Sequence, residues 1–61
     1  MSKWIVSKQG ILLKTYLSRM ISHDKKRWIS SIIYEDAHKY SSEKNAIRSA
    51  ITCGGVVEKI L

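Results

Sequence analysis

Ser41-Ser42-Glu43-Lys44-Asn45-Ala46-Ile47-Arg48-Ser49-Ala50-Ile51-Thr52-Cys53-Gly54-Gly55-Val56-Val57-Glu58-Lys59-Ile60 is the stretch that decides the fold. Either serine can stand at a helix N-cap, its hydroxyl accepting a hydrogen bond from a free N–H of the first turn. Glu43 follows, a negative charge beside the positive end of the helix dipole. Ala46, Ile47, Ala50 and Ile51 recur at helical spacing and predict one apolar face, with Lys44, Asn45, Arg48, Ser49 and Thr52 off it. The spacing predicts a helix ending near Thr52. Cys53-Gly54-Gly55 stops it, because a glycine can take the left-handed conformation that closes a helix. Val56 to Ile60 then reads as a short strand. A helix tied so tightly to a strand must lie back across a sheet to bury Ile47 and Ile51. The expected class is α+β, a small antiparallel sheet with one main helix packed on one face. The opposite sheet face has little to cover it, so apolar residues there are expected to form an exposed patch.

Upstream, Trp4-Ile5-Val6 is aromatic and β-branched and predicts a strand. Gln9-Gly10 supplies a turn, with glycine able to take a positive φ. Ile11 to Ser22 supports two readings. As a strand it completes a hairpin with Trp4 to Lys8. By period, Leu12, Leu13, Tyr16, Leu17, Met20 and Ile21 fall on one side of a helix, and periodicity alone favours that. His23-Asp24-Lys25-Lys26-Arg27 is a charged connection. Trp28 to Ile33 is strand-like, with Trp28 and Ile32 on one face and Ile29 and Ile33 on the other. Tyr34 to Tyr40 predicts a helical turn that tucks Ala37 and Tyr40 inward.

Sixty-one residues suit one domain, spanning 1–61. A chain of this length buries only about 60% of its unfolded surface. That leaves little material for a catalytic cleft and the shell that would hold it rigid. The single cysteine, Cys53, allows no internal disulfide and suits a reducing compartment. Met1 to Lys8 has no apolar run of signal-peptide length. Aliphatic runs stop at three residues, Ile11-Leu12-Leu13, against the roughly 20 that a bilayer demands. The expectation is a cytoplasmic protein that does not engage a membrane.

Charge is the strongest compositional signal. Residues 1–27 hold Lys3, Lys8, Lys14, Arg19, Lys25, Lys26 and Arg27 against Asp24 alone, whereas residues 28–61 balance four cations with four carboxylates. The whole surplus of +6 therefore falls in the first part of the chain. Such asymmetry either merely keeps a small protein soluble or points to an anionic partner: a membrane surface, a protein with an acidic face or a nucleic acid. In the last case cations would neutralise phosphates, and Trp4, Tyr16 and Trp28 could stack on unpaired bases. Core anchoring is the ordinary role for both tryptophans. Lys25-Lys26-Arg27 is the densest cluster. Lys44 and Arg48, four apart and like-charged, would be tolerated on a helix facing an anion. The candidate partner-binding residues are thus Lys14, Arg19, Lys25, Lys26, Arg27, Lys44 and Arg48.

Nothing in the sequence forms a reactive grouping. His23, His38 and Cys53 stand 15 residues apart, without the spacing of a metal site. Cys53 follows a helix C-terminus, where the dipole disfavours a thiolate. Glu35 and Asp36 are adjacent and point apart, which disfavours a general acid and base pair. Gly54-Gly55 lacks the following helix of a phosphate loop. No catalytic residue, metal or cofactor is expected.

Trp4, Gly10, Trp28, Asp36-Ala37, Tyr40, Ser41, Ala46 and Gly54-Gly55-Val56 together resemble a loose group of short proteins encoded by phages and prophages. The similarity runs over most of the chain and is poorest from Ser18 to Lys26. It implies a hairpin, a further strand, a helix and a final strand. It also implies an accessory protein, made inside an infected bacterium, that binds and modulates or inhibits a host enzyme or defence complex. Direct RNA or DNA binding is the alternative. An exposed edge strand would also allow a homodimer.

Overall fold

A computed structural model describes residues 3–60; Met1, Ser2 and Leu61, which the single-domain reading included, lie outside the described residues. The chain runs through β1 (Trp4–Gln9), β2 (Lys14–Ser22), β3 (Arg27–Ser31), a 3-10 turn at Tyr34–Asp36, α1 (Glu43–Cys53) and β4 (Val56–Lys59). The strands form one antiparallel sheet in the order β3-β2-β1-β4, with α1 packed on it. This is the expected α+β arrangement of hairpin, strands and one main helix.

The ambiguous stretch resolves as a strand. Lys14 to Ser22 pairs with β1 on one side and β3 on the other. A hydrogen-bonded ladder on both sides satisfies its backbone groups, which outweighs helical periodicity. Ile11, Leu12 and Leu13 are excluded from it and form an exposed loop at the hairpin tip. Gly10 is needed there for space rather than for a positive φ. A Cβ on it would stand 2.6 Å from the Leu13 carbonyl oxygen, which accepts its N–H.

β1 and β2 pair from Gln9↔Lys14 to Ser7↔Tyr16 and then part. The strip His38–Tyr40 fills the opening. His38 N–H donates to the Leu17 carbonyl at 3.0 Å, and Tyr40 exchanges two backbone hydrogen bonds with Trp4 at 2.9 and 2.7 Å. Register shifts between Leu17 and Arg19 and between Met20 and Ser22 interrupt the β2–β3 ladder. Such bulges bend a strand and increase its twist. The hairpin end thereby reaches the helix, where His23 Nδ1 lies 3.1 Å from Thr52 Oγ1.

α1 presents a different face to the sheet from the one its isoleucines predict. Ala46, Ser49, Ala50 and Cys53 are buried, while Ile47 is 44% and Ile51 76% exposed. Two contacts explain the rotation. Small side chains let the helix lie close to Val6 and Leu17, with Trp4, Met20, Trp28, Tyr40 and Val57 closing the core around them. Ser49, placed outside by the pattern, is buried because its hydroxyl accepts from Tyr40 Oη at 2.8 Å. The turn fixes this phase. Gly54 is left-handed at φ 75°, and Gly55 passes so near β1 that a Cβ would meet the Ser7 carbonyl oxygen at 2.5 Å. Ser42 does occupy the N-cap, but only its carbonyl takes part, accepting Ala46 N–H at 3.1 Å; its hydroxyl makes no cap bond.

The opposite sheet face is not bare. Strand alternation places Ile5, Ser7 and Tyr16 on it. The 3-10 turn packs against β2 there, with the Tyr34 ring edge-on to Tyr16 at 5.4 Å. Ile5, Ser7 and Ala37 are buried. β3 ends at Ser31, so Ile32 and Ile33 fall outside the strand and are exposed. Among the described residues no helix is long and apolar enough to cross a membrane.

Candidate binding surfaces: a cationic groove and the outer face of the helix

The seven candidate cations divide into four places. Lys14 is on the sheet face away from the helix, and its ammonium is 2.7 Å from Glu58, the one ion pair among the described residues. Glu58 also accepts from Ser7 Oγ. Hydrogen bonding to Glu58 holds the Lys14 amine above its usual range, and the bonds from Lys14 and Ser7 hold the Glu58 carboxyl below its own. Lys14 therefore already has an anionic partner within the fold.

Lys25, Lys26 and Arg27 sit at the exposed end of the β2–β3 hairpin. Lys25 N–H donates to Ser22 Oγ at 3.2 Å, and Lys26 N–H to the His23 carbonyl at 3.3 Å. Lys26 adopts a left-handed φ of 53° to complete that turn. The three side chains project from a short, backbone-bonded tip.

Arg19 and Arg48 both line a groove of about 610 Å³. One wall is the bent end of β2 with Met20, Ile21 and His23. The floor is the inserted strip, including His38, Tyr40 and Ser41. The other wall is α1 with Asn45 and Ser49. Among the described residues no carboxylate lines it. Its framework is tied down from within. Tyr40 is held by Ser49 and packs edge-on to His38 at 4.5 Å. Thr52 Oγ1 donates to the Arg48 carbonyl at 3.0 Å, so it must accept from His23 Nδ1–H. Lys39 also borders the groove, but its ammonium turns away to the Ala37 carbonyl and the Tyr34 ring.

Lys44 lies outside the groove, on the exposed side of α1. With Ile47, Arg48 and Ile51 it forms a stripe at i, i+3, i+4 and i+7, neighbouring positions on one helix face. Two aliphatic side chains and two cations thus alternate on a surface left open by the described residues. Ile11 and Leu12 form a second exposed apolar feature, at the far tip of the sheet.

Sequence reasoning reached Arg19, Arg48 and Lys44 but missed that the groove draws on both halves of the chain. Asn45, His38 and His23 carried no pattern that would join them. The signal available was negative: no acidic residue lies within four positions of Arg19 or Arg48. Two other residues weighed for chemistry, Cys53 and Asp36, have ordinary partners. Cys53 is buried with its thiol toward the Ala50 carbonyl, and Asp36 accepts from Ser31 Oγ at 2.9 Å. Comparison with protein-family models, with curated proteins and with solved structures returned no match, so the functional reading rests on these side chains.

Proposed function

We propose that this chain is a non-enzymatic binding protein that docks on an acidic face of a partner protein through the outer side of α1. The observation that carries the reading is the stripe Lys44, Ile47, Arg48 and Ile51. Isoleucines left 44% and 76% exposed in so small a domain are surplus to its core. Protein interfaces combine an apolar centre with a charged rim, and complementary charge steers the encounter. The surplus of +6 supplies that steering, with Lys25, Lys26 and Arg27 extending it along the hairpin tip. The resemblance to phage accessory proteins supports a host enzyme or defence complex in a bacterial cytoplasm as the partner, blocked by occupation of its acidic site. Direct RNA or DNA binding is the competing reading. Trp4 and Trp28 weigh against its single-stranded form, because both pack against the core instead of standing free as stacking platforms.

The test uses the tagged chain, its Ile51→Glu and Arg48→Glu variants and a Leu12→Ser control as baits in bacterial lysate, followed by titration of the purified partner. The reading expects one near-stoichiometric protein, weakened at least about tenfold by either helix variant. Cross-links should place the contact on an acidic face. Capture undiminished by Ile51→Glu, or lost with Leu12→Ser alone, overturns it. So does retardation of RNA or DNA by the pure protein at moderate salt with no protein captured.

A further inference from the structure

We infer that the groove between the bent end of β2 and α1 binds the phosphoryl group of a nucleotide. This goes beyond the docking reading, which uses the convex side of the helix; the two surfaces share Arg48 at their border and no other residue.

The chemistry comes first. Arg19 and Arg48 belong to different elements and border one concavity that no carboxylate of the described residues lines. Among the described residues neither guanidinium has an acidic partner. Two like charges brought to one cavity without a counter-ion repel each other, and a bound anion relieves that repulsion. Guanidinium is also the group whose fork of N–H donors matches phosphate oxygens in pairs. Asn45 and Ser41 add neutral donors. The imidazole of His38 also borders the cavity, whereas the ring N–H of His23 is committed to Thr52.

Shape then selects among anions. A volume of about 610 Å³ lies within the range of roughly 300–1,000 Å³ typical of small-molecule sites and far exceeds a bare phosphate. Met20, Ile21 and the ring of Tyr40 offer apolar surface beside the cations. A ligand with a charged end and a flat, weakly polar body fits both parts. That is the make-up of a nucleotide. A free nucleoside monophosphate and the 5′-phosphorylated end of a strand present the same chemistry.

The experiment titrates the full chain, followed by amide NMR shifts, with adenosine 5′-monophosphate, a 5′-phosphorylated dinucleotide, adenosine and inorganic phosphate. Saturable shifts of Arg19, Ser41, Asn45 and Arg48 are expected with the monophosphate, and none with adenosine. Arg19→Gln and Arg48→Gln should each weaken binding about tenfold or more, the loss of a charge-assisted hydrogen bond. The double variant Lys25→Gln, Lys26→Gln should leave affinity within about twofold, since exposed single charges contribute little. Tighter binding of the dinucleotide identifies a strand end as the source, and equal binding identifies the free nucleotide; both support the site. Absence of saturation at millimolar ligand, equal binding of adenosine, or equal loss from the Lys25, Lys26 variant overturns it. Arg19→Gln and Ile51→Glu keep the two readings apart. The first should weaken nucleotide binding about tenfold or more and spare protein capture, and the second should do the reverse. Both positions are exposed, and an unchanged near-ultraviolet dichroism spectrum verifies the fold of each variant.

Discussion

Lys14 in β2 and Glu58 in β4 meet at 2.7 Å across the central strand β1, so one ion pair ties together two strands that share no backbone hydrogen bond. Glu58 is held below its ordinary range by Lys14 and then by Ser7. A depressed folded-state carboxylate stabilises the fold above its unfolded pKa, and that contribution is lost as pH falls through the folded value. Lys14 is raised, so its share is present below its unfolded pKa and fades as pH rises through the folded one. Urea unfolding should therefore show Glu58→Gln less stable than the parent at neutral pH, with the difference vanishing in strong acid. The side chains are more than a third exposed, which keeps the effect small and sensitive to salt.

The orientation of α1 is tested by substitutions on its two sides. Ala50→Leu adds three heavy atoms where the helix meets Val6 and Leu17 and should cost roughly 1–3 kcal/mol. Ile51→Ser lies on the open side and should stay within about 0.5 kcal/mol of the parent. Denaturant midpoints separate these outcomes. Had Ile51 faced the sheet, the second substitution would be the damaging one.

Tyr40→Phe removes the donor to Ser49 Oγ and should destabilise by about 1–3 kcal/mol, because Ser49 is 2% exposed and water cannot replace the lost bond. Ser49→Ala added to it should cost much less than the sum of the single changes. A double-mutant cycle in urea measures that coupling.

The two glycines of the turn should respond differently. Gly54→Ala places a Cβ at φ 75° with room around it and should cost about 1 kcal/mol. Gly55→Ala drives a Cβ into the Ser7 carbonyl oxygen and the Val6 side chain. It should cost about 3 kcal/mol, near the upper end for single changes. Thermal unfolding of the two variants ranks them.

Much of this architecture is legible in the residues themselves. Ser42 to Val56 encodes a helix, a left-handed glycine and a strand through local rules alone, and each appears where expected. The rotation of the helix was not legible. Hydrophobicity weights Ile47 and Ile51 above Ala46 and Ala50, yet close approach to a sheet rewards small side chains, and the partner of Ser49 lies nine residues away in sequence. The strand at Lys14 to Ser22 competes with a good helical pattern, and only pairing with distant segments decides it. The groove was hidden for the same reason. Arg19 reaches the neighbourhood of Arg48 through two irregularities in β2 and an inserted strip, neither of which leaves a recognisable spacing.

Because His38 to Tyr40 lies between β1 and β2, the N-terminal hairpin cannot zip to completion by itself. From its own turn it can close only as far as Ser7 and Tyr16. The remaining backbone groups of Trp4 and Leu17 wait for a segment made much later, whose arrival carries the entropy of closing a long loop. Completion of the sheet beside Trp4 therefore depends on a pairing distant in sequence, of the kind that costs more entropy to close than the local hairpin does.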